Sequence, residues 1–236
     1  MKNIVLIFDV ETTGLYDKKK PIEQQPYILQ MSYLLYDTAQ KRIVKTMDSY
    51  VKVDTSIEIK PEVTAINHCT RELCNNGLPI QTILTNFYYD YHLAETVIAH
   101  NYDFDSTLIR IEYQRNWSFL QKITPQGLQL FDPSYMSVVG VTKLCTMKDT
   151  VQMVKAPHKK PKPDDVKNGN FKWPSLIELH THCYGYVPDN MHNSMMDVFV
   201  TLRCLMKYKY DTEINREEMD TIVQTYMNNT STSSLE

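Results

Sequence analysis

The 236-residue chain has few cysteines, few glycines and no surplus of positive charge. Its five cysteines, Cys69, Cys74, Cys145, Cys183 and Cys204, are scattered, odd in number and form no C-x-x-C pair. That pattern argues against a zinc ribbon or a disulfide framework and for reduced thiols. No apolar run is long enough to span a bilayer, and only Lys2 precedes a short apolar strand, unlike a signal peptide. The expectation is a soluble intracellular protein, of cytoplasm or nucleus, with no membrane partner. Lysine and arginine total 25 against 28 acidic residues, a net charge of −3. A nucleic-acid partner would therefore have to be met by a local patch or by bound cations. Six glycines against sixteen tyrosines is an unusual ratio; we attach no function to it.

What is present suits one domain with an ordinary core, 42% of residues being hydrophobic. Residues 3–9 form an apolar strand. Residues 27–36 and 43–53 are apolar or β-branched, and with the first strand they suggest an antiparallel meander. Helical character runs over 79–92, and the fully apolar Val97-Ile98-Ala99 suits a buried central strand. A helix over 102–116 then completes an α/β pattern. Residues 117–172 are the least legible, with helix expected over 146–154. Further helices are expected over 176–184, 193–208 and 214–227. The predicted organisation is one domain over 1–227, with an exposed basic insertion near 155–170 and a flexible tail over 228–236.

The stretch Ile7-Phe8-Asp9-Val10-Glu11-Thr12-Thr13-Gly14-Leu15 carries the first chemical signal. On a strand, positions two apart share a face, so Asp9 and Glu11 project together. Neighbouring carboxylates repel unless a proton or a cation lies between them. Alone, the pair reads first as a strand end that happens to be acidic. A second signal, His100-Asn101-Tyr102-Asp103-Phe104-Asp105, follows the buried strand, where open α/β sheets place ligands. Helical positions two apart point about 200° from each other, so only one aspartate can face Asp9 and Glu11. We assign Asp103 to the helix dipole and leave Asp105 to the site. The third signal is His192-Asn193-Ser194-Met195-Met196-Asp197. His192 and Asp197 converge only if His192 precedes the helix, which the cap-forming Asn193 and Ser194 support; taken alone, the segment reads first as a solvent-facing loop histidine and a surface helix aspartate.

Together these three segments, Phe8–Leu15, His100-Asn101-x-x-Phe104-Asp105 and His192-x-x-x-x-Asp197, resemble the motifs of the DEDDh (DnaQ-like) 3′→5′ exonucleases. That superfamily includes polymerase proofreading subunits, three-prime repair exonucleases and ribonuclease T. Weaker echoes are Ile66-Asn67-His68-Cys69-Thr70, where the family often shows I-H-G-I-T, Leu144-Cys145-Thr146, and Trp173-Pro174-Ser175-Leu176-x-Glu178-Leu179. The resemblance implies an RNase H-like α/β fold: a mixed sheet of about five strands, the first three antiparallel, flanked by helices.

It also implies roles. Asp9, Glu11, Asp105 and Asp197 would hold two divalent ions, for which hard oxygen donors favour Mg²⁺ or Mn²⁺. Asp105 would act mainly through coordinated water, and His192 would be the general base. Main-chain groups of Thr12 and Thr13, the approach permitted by Gly14 and a wedge from Leu15 would seat the 3′-terminal nucleotide. Asn101 and Phe104 would shape that pocket, although turn capping and core packing explain them equally well. The implied partner is nucleic acid with a free 3′ end, with a polymerase or another replication or repair protein as a further candidate.

The expected activity is a metal-dependent 3′→5′ exonuclease acting on DNA and releasing nucleoside 5′-monophosphates. DNA is preferred on the Trp173–Leu179 segment alone, and an exoribonuclease is the rival reading. A non-catalytic nucleic-acid-binding module would have lost a ligand, and none is lost. A zinc site at His180, His182 and Cys183 is disfavoured, because positions two apart on a helix splay. The Lys155–Lys167 segment reads as a solvated loop before it reads as a phosphate-binding arm.

Overall fold

The computed structural model describes residues 3–160, 162, 165, 168–189 and 191–232, with the side chains beyond Met227 left out. Among these are strands β1 (Ile4–Thr12), β2 (Ile28–Asp37) and β3 (Arg42–Tyr50), then helices α1 (Pro61–Asn67), α2 (Arg71–Asn75) and α3 (Ile80–Tyr91). Strand β4 (Thr96–Ala99) leads into α4 (Tyr102–Arg115), α5 (Trp117–Leu120) and α6 (Pro133–Val139). Strand β5 (Thr142–Cys145) is followed by α7 (Thr146–Asp149), α8 (Val151–Val154), α9 (Leu176–Tyr184), α10 (Ser194–Tyr210) and α11 (Arg216–Thr232).

The sheet order is β3-β2-β1-β4-β5. β1, β2 and β3 pair antiparallel, while β4 and β5 continue the sheet in parallel with β1. This is the mixed RNase H-like arrangement expected. β1 is central and apolar on both faces until its acidic end. Leu6, Phe8 and Val10 join the core beneath α3 and α4, whereas Val5 and Ile7 pack beneath α10. Phe8 is almost fully buried among Phe87, Tyr102 and Phe131, which contributes roughly 2–3 kcal/mol of burial.

Register decides where the site can form. β1 pairs with β4 only as far as Ile7↔Ile98, yet stays paired with β2 to its end. Along residues 8–12 one edge of β1 is therefore free of strand pairing, and the amino end of α4 fills it.

Some expectations needed revision. The helix over 146–154 is two short helices that meet at Thr150. β5 and α6 were not foreseen, being short and set in a stretch without clear periodicity. In place of the expected tail at 228–232, the backbone continues α11, and 233–236 lie outside the described residues. So do 161, 163, 164, 166 and 167 of the expected insertion, whose flank is tied down where the Lys172 N–H donates to the Ala156 carbonyl (3.0 Å).

Candidate active site

Asp9 and Glu11 lie on the face of β1 that packs beneath α10, in the same alternation as Val5 and Ile7. Asp197 descends onto them from the first turn of α10, which the Asn193 side chain caps by accepting the Met196 N–H (3.3 Å). Ser194 fastens that helix end to β1, its hydroxyl donating to the Asp9 carbonyl at 2.7 Å. His192 precedes the helix with φ +67° and is exposed, and its N–H donates to Asp197 Oδ1 (3.4 Å). Holding a non-glycine residue in the left-handed region costs about 1 kcal/mol; here that turn brings His192 and Asp197 together.

Asp105 approaches from the opposite layer. It is 2% exposed and accepts the Val10 N–H at 3.2 Å, at the open edge of β1. Asp103 points away, pairing with Lys148 at the surface. One ligand atom from each of Glu11, His192 and Asp197 lies within 4.8 Å of the other two.

The electrostatics are those of an anionic cluster. Burial pushes Asp9 up to about 7, against the neighbouring Ser194 hydroxyl. Burial, then the charges of Asp9 and Asp197, push Glu11 up to about 9, with the Asn67 amide opposing. Burial and the Asp9 charge raise Asp197 to about 8, and the same two causes hold Asp105 well above the usual carboxylate range. Asp9 Oδ2 is buried with no hydrogen-bond partner among the described residues. A buried acceptor without a donor, beside three more carboxyls, fits a hard divalent cation.

Around this cluster the expected substrate residues fare unequally. The Thr13 N–H donates to the Tyr27 carbonyl, and its hydroxyl accepts the Tyr27 N–H (both 2.9 Å), so the N–H is engaged within the fold. The Thr12 hydroxyl turns back to the Gly14 carbonyl (2.7 Å). Nothing lies within 4 Å of a Cβ placed on Gly14, so the fold itself does not demand glycine there. Leu15 is 85% exposed. Asn101 precedes α4 in the left-handed conformation that asparagine tolerates at turns, and its side chain makes no capping bond to the helix. Phe104 is half-buried against the core.

Sequence reasoning missed the role of Asn67. Its amide donates to the Thr12 carbonyl (3.2 Å) and its Oδ1 accepts the Cys69 N–H (3.1 Å), bracing the turn after Glu11. The departure from I-H-G-I-T at this point was the available signal. His180 does not join a metal cluster, since its ring contacts the Tyr186 carbonyl and Arg203.

The model of the exonuclease family (RNase_T) matches residues 6–205. The chain belongs to the exonuclease family. All three motif segments fall within that span, in the order of the DEDDh, DnaQ-like members. No curated protein matches the chain in sequence. Among solved structures, it is similar to a 3′-exonuclease recognising a histone mRNA stem-loop, at 15% identity, TM-score 0.59, covering 89% of this chain and 83% of that one. It is also similar to an exonuclease I, at 15% identity, TM-score 0.62, covering 94% and 43%. E. coli exonuclease I in complex with a dT13 oligonucleotide matches at 16% identity, TM-score 0.61, covering 89% and 42%. The chain thus spans less than half of the exonuclease I chains. These likenesses concern the fold. As an exonuclease, the protein is a hydrolase of the nuclease class.

Proposed function

We propose that this exonuclease hydrolyses nucleic-acid phosphodiester bonds from the 3′ end, with DNA as the preferred substrate and nucleoside 5′-monophosphates as products. The reading rests on Glu11, His192 and Asp197 meeting within 4.8 Å beside the unpartnered Oδ2 of Asp9. Asp9, Glu11, Asp105 and Asp197 would hold two Mg²⁺ or Mn²⁺ ions. Such a pair, when bound, lowers the pKa of an attacking water and stabilises the leaving oxygen.

The chain's own groups do the rest. His192, exposed at the rim, accepts the proton of the attacking water. Asp105 keeps one oxygen on the Val10 N–H and offers the other to the site through water. The open space over Gly14 admits the sugar-phosphate backbone, and exposed Leu15 lies against the last base. Asn101 and the half-buried Phe104 line that pocket beside Thr12 and Thr13. A polymerase or repair factor is a candidate partner. Relatives solved with an RNA stem-loop and with a DNA oligonucleotide support a nucleic-acid substrate without choosing the sugar.

The test incubates labelled single-stranded, duplex and mismatched DNA, beside RNA, with Mg²⁺ or with EDTA. DNA should shorten from its 3′ end in Mg²⁺ alone. Shortening of RNA only would make the protein an exoribonuclease, and no shortening would defeat the proposal. His192→Ala should reduce turnover roughly 10²–10⁴-fold while retaining Mn²⁺ binding; unchanged turnover removes it as the base.

A further inference from the structure

Gln30 is completely buried on the face of β2 that looks toward α10. Its Oε1 accepts the Ser194 N–H at 3.3 Å and the Asn193 Nδ2–H at 3.5 Å. Its Nε2 donates to Asp48 Oδ1 at 2.9 Å. The amide can sit only this way round, because a main-chain N–H only donates and a carboxylate accepts. Asp48 is shared further: Oδ1 accepts the Ser32 hydroxyl (2.6 Å) and Oδ2 accepts the Tyr226 hydroxyl (2.6 Å). A continuous buried or half-buried chain of bonds therefore runs from Tyr226 on α11, through Asp48 on β3 and Gln30 on β2, to the first residue of α10.

That helix end is where the site is assembled. His192 comes two residues before Ser194, and Asp197 one turn after it. Asn193, which Gln30 contacts, is also the cap of the helix. None of Gln30, Asp48 or Tyr226 has been placed against substrate, so a direct chemical role is not at issue. A buried amide with a donor on one side and an acceptor on the other has one low-energy orientation, and each bond in such a chain reinforces its neighbours.

We propose that Gln30 is the positioning residue for His192 and Asp197, and that the C-terminal helix α11 acts on the active site through Tyr226, Asp48 and Gln30. The inference rests on the exonuclease reading of that site. It makes the docking of α11 part of the catalytic architecture, although no described side chain of α11 joins the cluster.

The experiment uses the full chain and the variants Gln30→Leu, Tyr226→Phe and the double substitution. Amide exchange at Ser194 and steady-state shortening of a labelled oligonucleotide are followed together. Gln30→Leu should exchange Ser194 at least about tenfold faster and lower kcat by about tenfold or more, with KM within about twofold. Tyr226→Phe should move both readouts in the same direction, by about two- to fivefold, and the double variant should match Gln30→Leu alone. Loss of Ser194 protection with kcat unchanged overturns the proposal, as does a change confined to KM. If Gln30→Leu fails to fold, Tyr226→Phe carries the test: unchanged exchange and kcat overturn it. A wild-type protein that shortens no oligonucleotide defeats the exonuclease reading alone. Mn²⁺ affinity of the same variants then decides, a fall of about tenfold with faster Ser194 exchange supporting positioning and an unchanged affinity overturning it.

Discussion

Asp105 accepts the N–H of Val10, the residue between Asp9 and Glu11, at 3.2 Å. The bond joins the amino end of α4 to β1 where β4 has already stopped. It satisfies a strand donor that would otherwise be orphaned and brings a third carboxyl to the pair. Held this way, the anionic cluster is costly without a counter-ion, and several consequences can be measured.

The metal-free protein should lose stability as pH rises. Asp9, Glu11 and Asp197 titrate near about 7, 9 and 8 when folded, against ordinary carboxylates near ~4 in the unfolded chain. Between those limits the folded state holds more protons, so unfolding becomes easier with increasing pH. In EDTA, Tm should fall between about pH 5 and pH 8.5. Mg²⁺ or Mn²⁺ should raise Tm more at the alkaline end and release protons on binding. A Tm that climbs with pH in EDTA would contradict this.

Asp9→Asn should abolish metal-dependent hydrolysis and yet stabilise the metal-free fold. It removes the charge that, after burial, raises Glu11, Asp105 and Asp197. A gain of about 1–2 kcal/mol at pH 8, or some 2–4 °C in Tm, is expected in EDTA. Full activity in this variant would take Asp9 out of the site.

His100 joins the end of β4 to the segment before α9. Its Nε2–H donates to the Pro174 carbonyl (3.1 Å), and Nδ1 faces the Thr146 hydroxyl (2.9 Å). Burial depresses its pKa to about 4. Stability from this histidine is complete above the unfolded value of ~6.5 and drains away as pH falls toward about 4, by up to ~3 kcal/mol. Proton NMR should find this ring still neutral at pH 5.5; a ring protonated there would refute the assignment.

His68 closes α1 in a left-handed conformation, φ +59°. It stands where the resembling I-H-G-I-T pattern has glycine. His68→Gly should therefore stabilise the protein by about 0.5–1 kcal/mol in a denaturant titration, relief of left-handed strain outweighing the added freedom of the unfolded chain. Destabilisation would mean that the imidazole makes a contact worth more than the strain.

Much of this was legible along the chain. The apolar run into Asp9-x-Glu11 specified a central strand with two carboxylates on one face, because strand alternation is a local property. Ser175 and Gly185 bracket α9 through a capping box and a left-handed end, and Asn193 caps α10; the caps follow from side chains bonding to nearby backbone, and the left-handed end from glycine's lack of a Cβ. The order of the three motif segments pointed to the family. β5 and α6 escaped notice because short elements take their identity from sheet neighbours, and β5 exists through its pairing with β4.

Only the tertiary structure decided that β4 stops short of β1, leaving the edge that Asp105 occupies. It alone committed the Thr13 N–H to Tyr27 and set Asn67 beneath the Thr12 carbonyl. It also joined Gln30 on one strand to Ser194, 164 residues away. Composition and periodicity report what each segment can form. Register and layer packing bring distant polar atoms within hydrogen-bond range, and those depend on the whole chain at once.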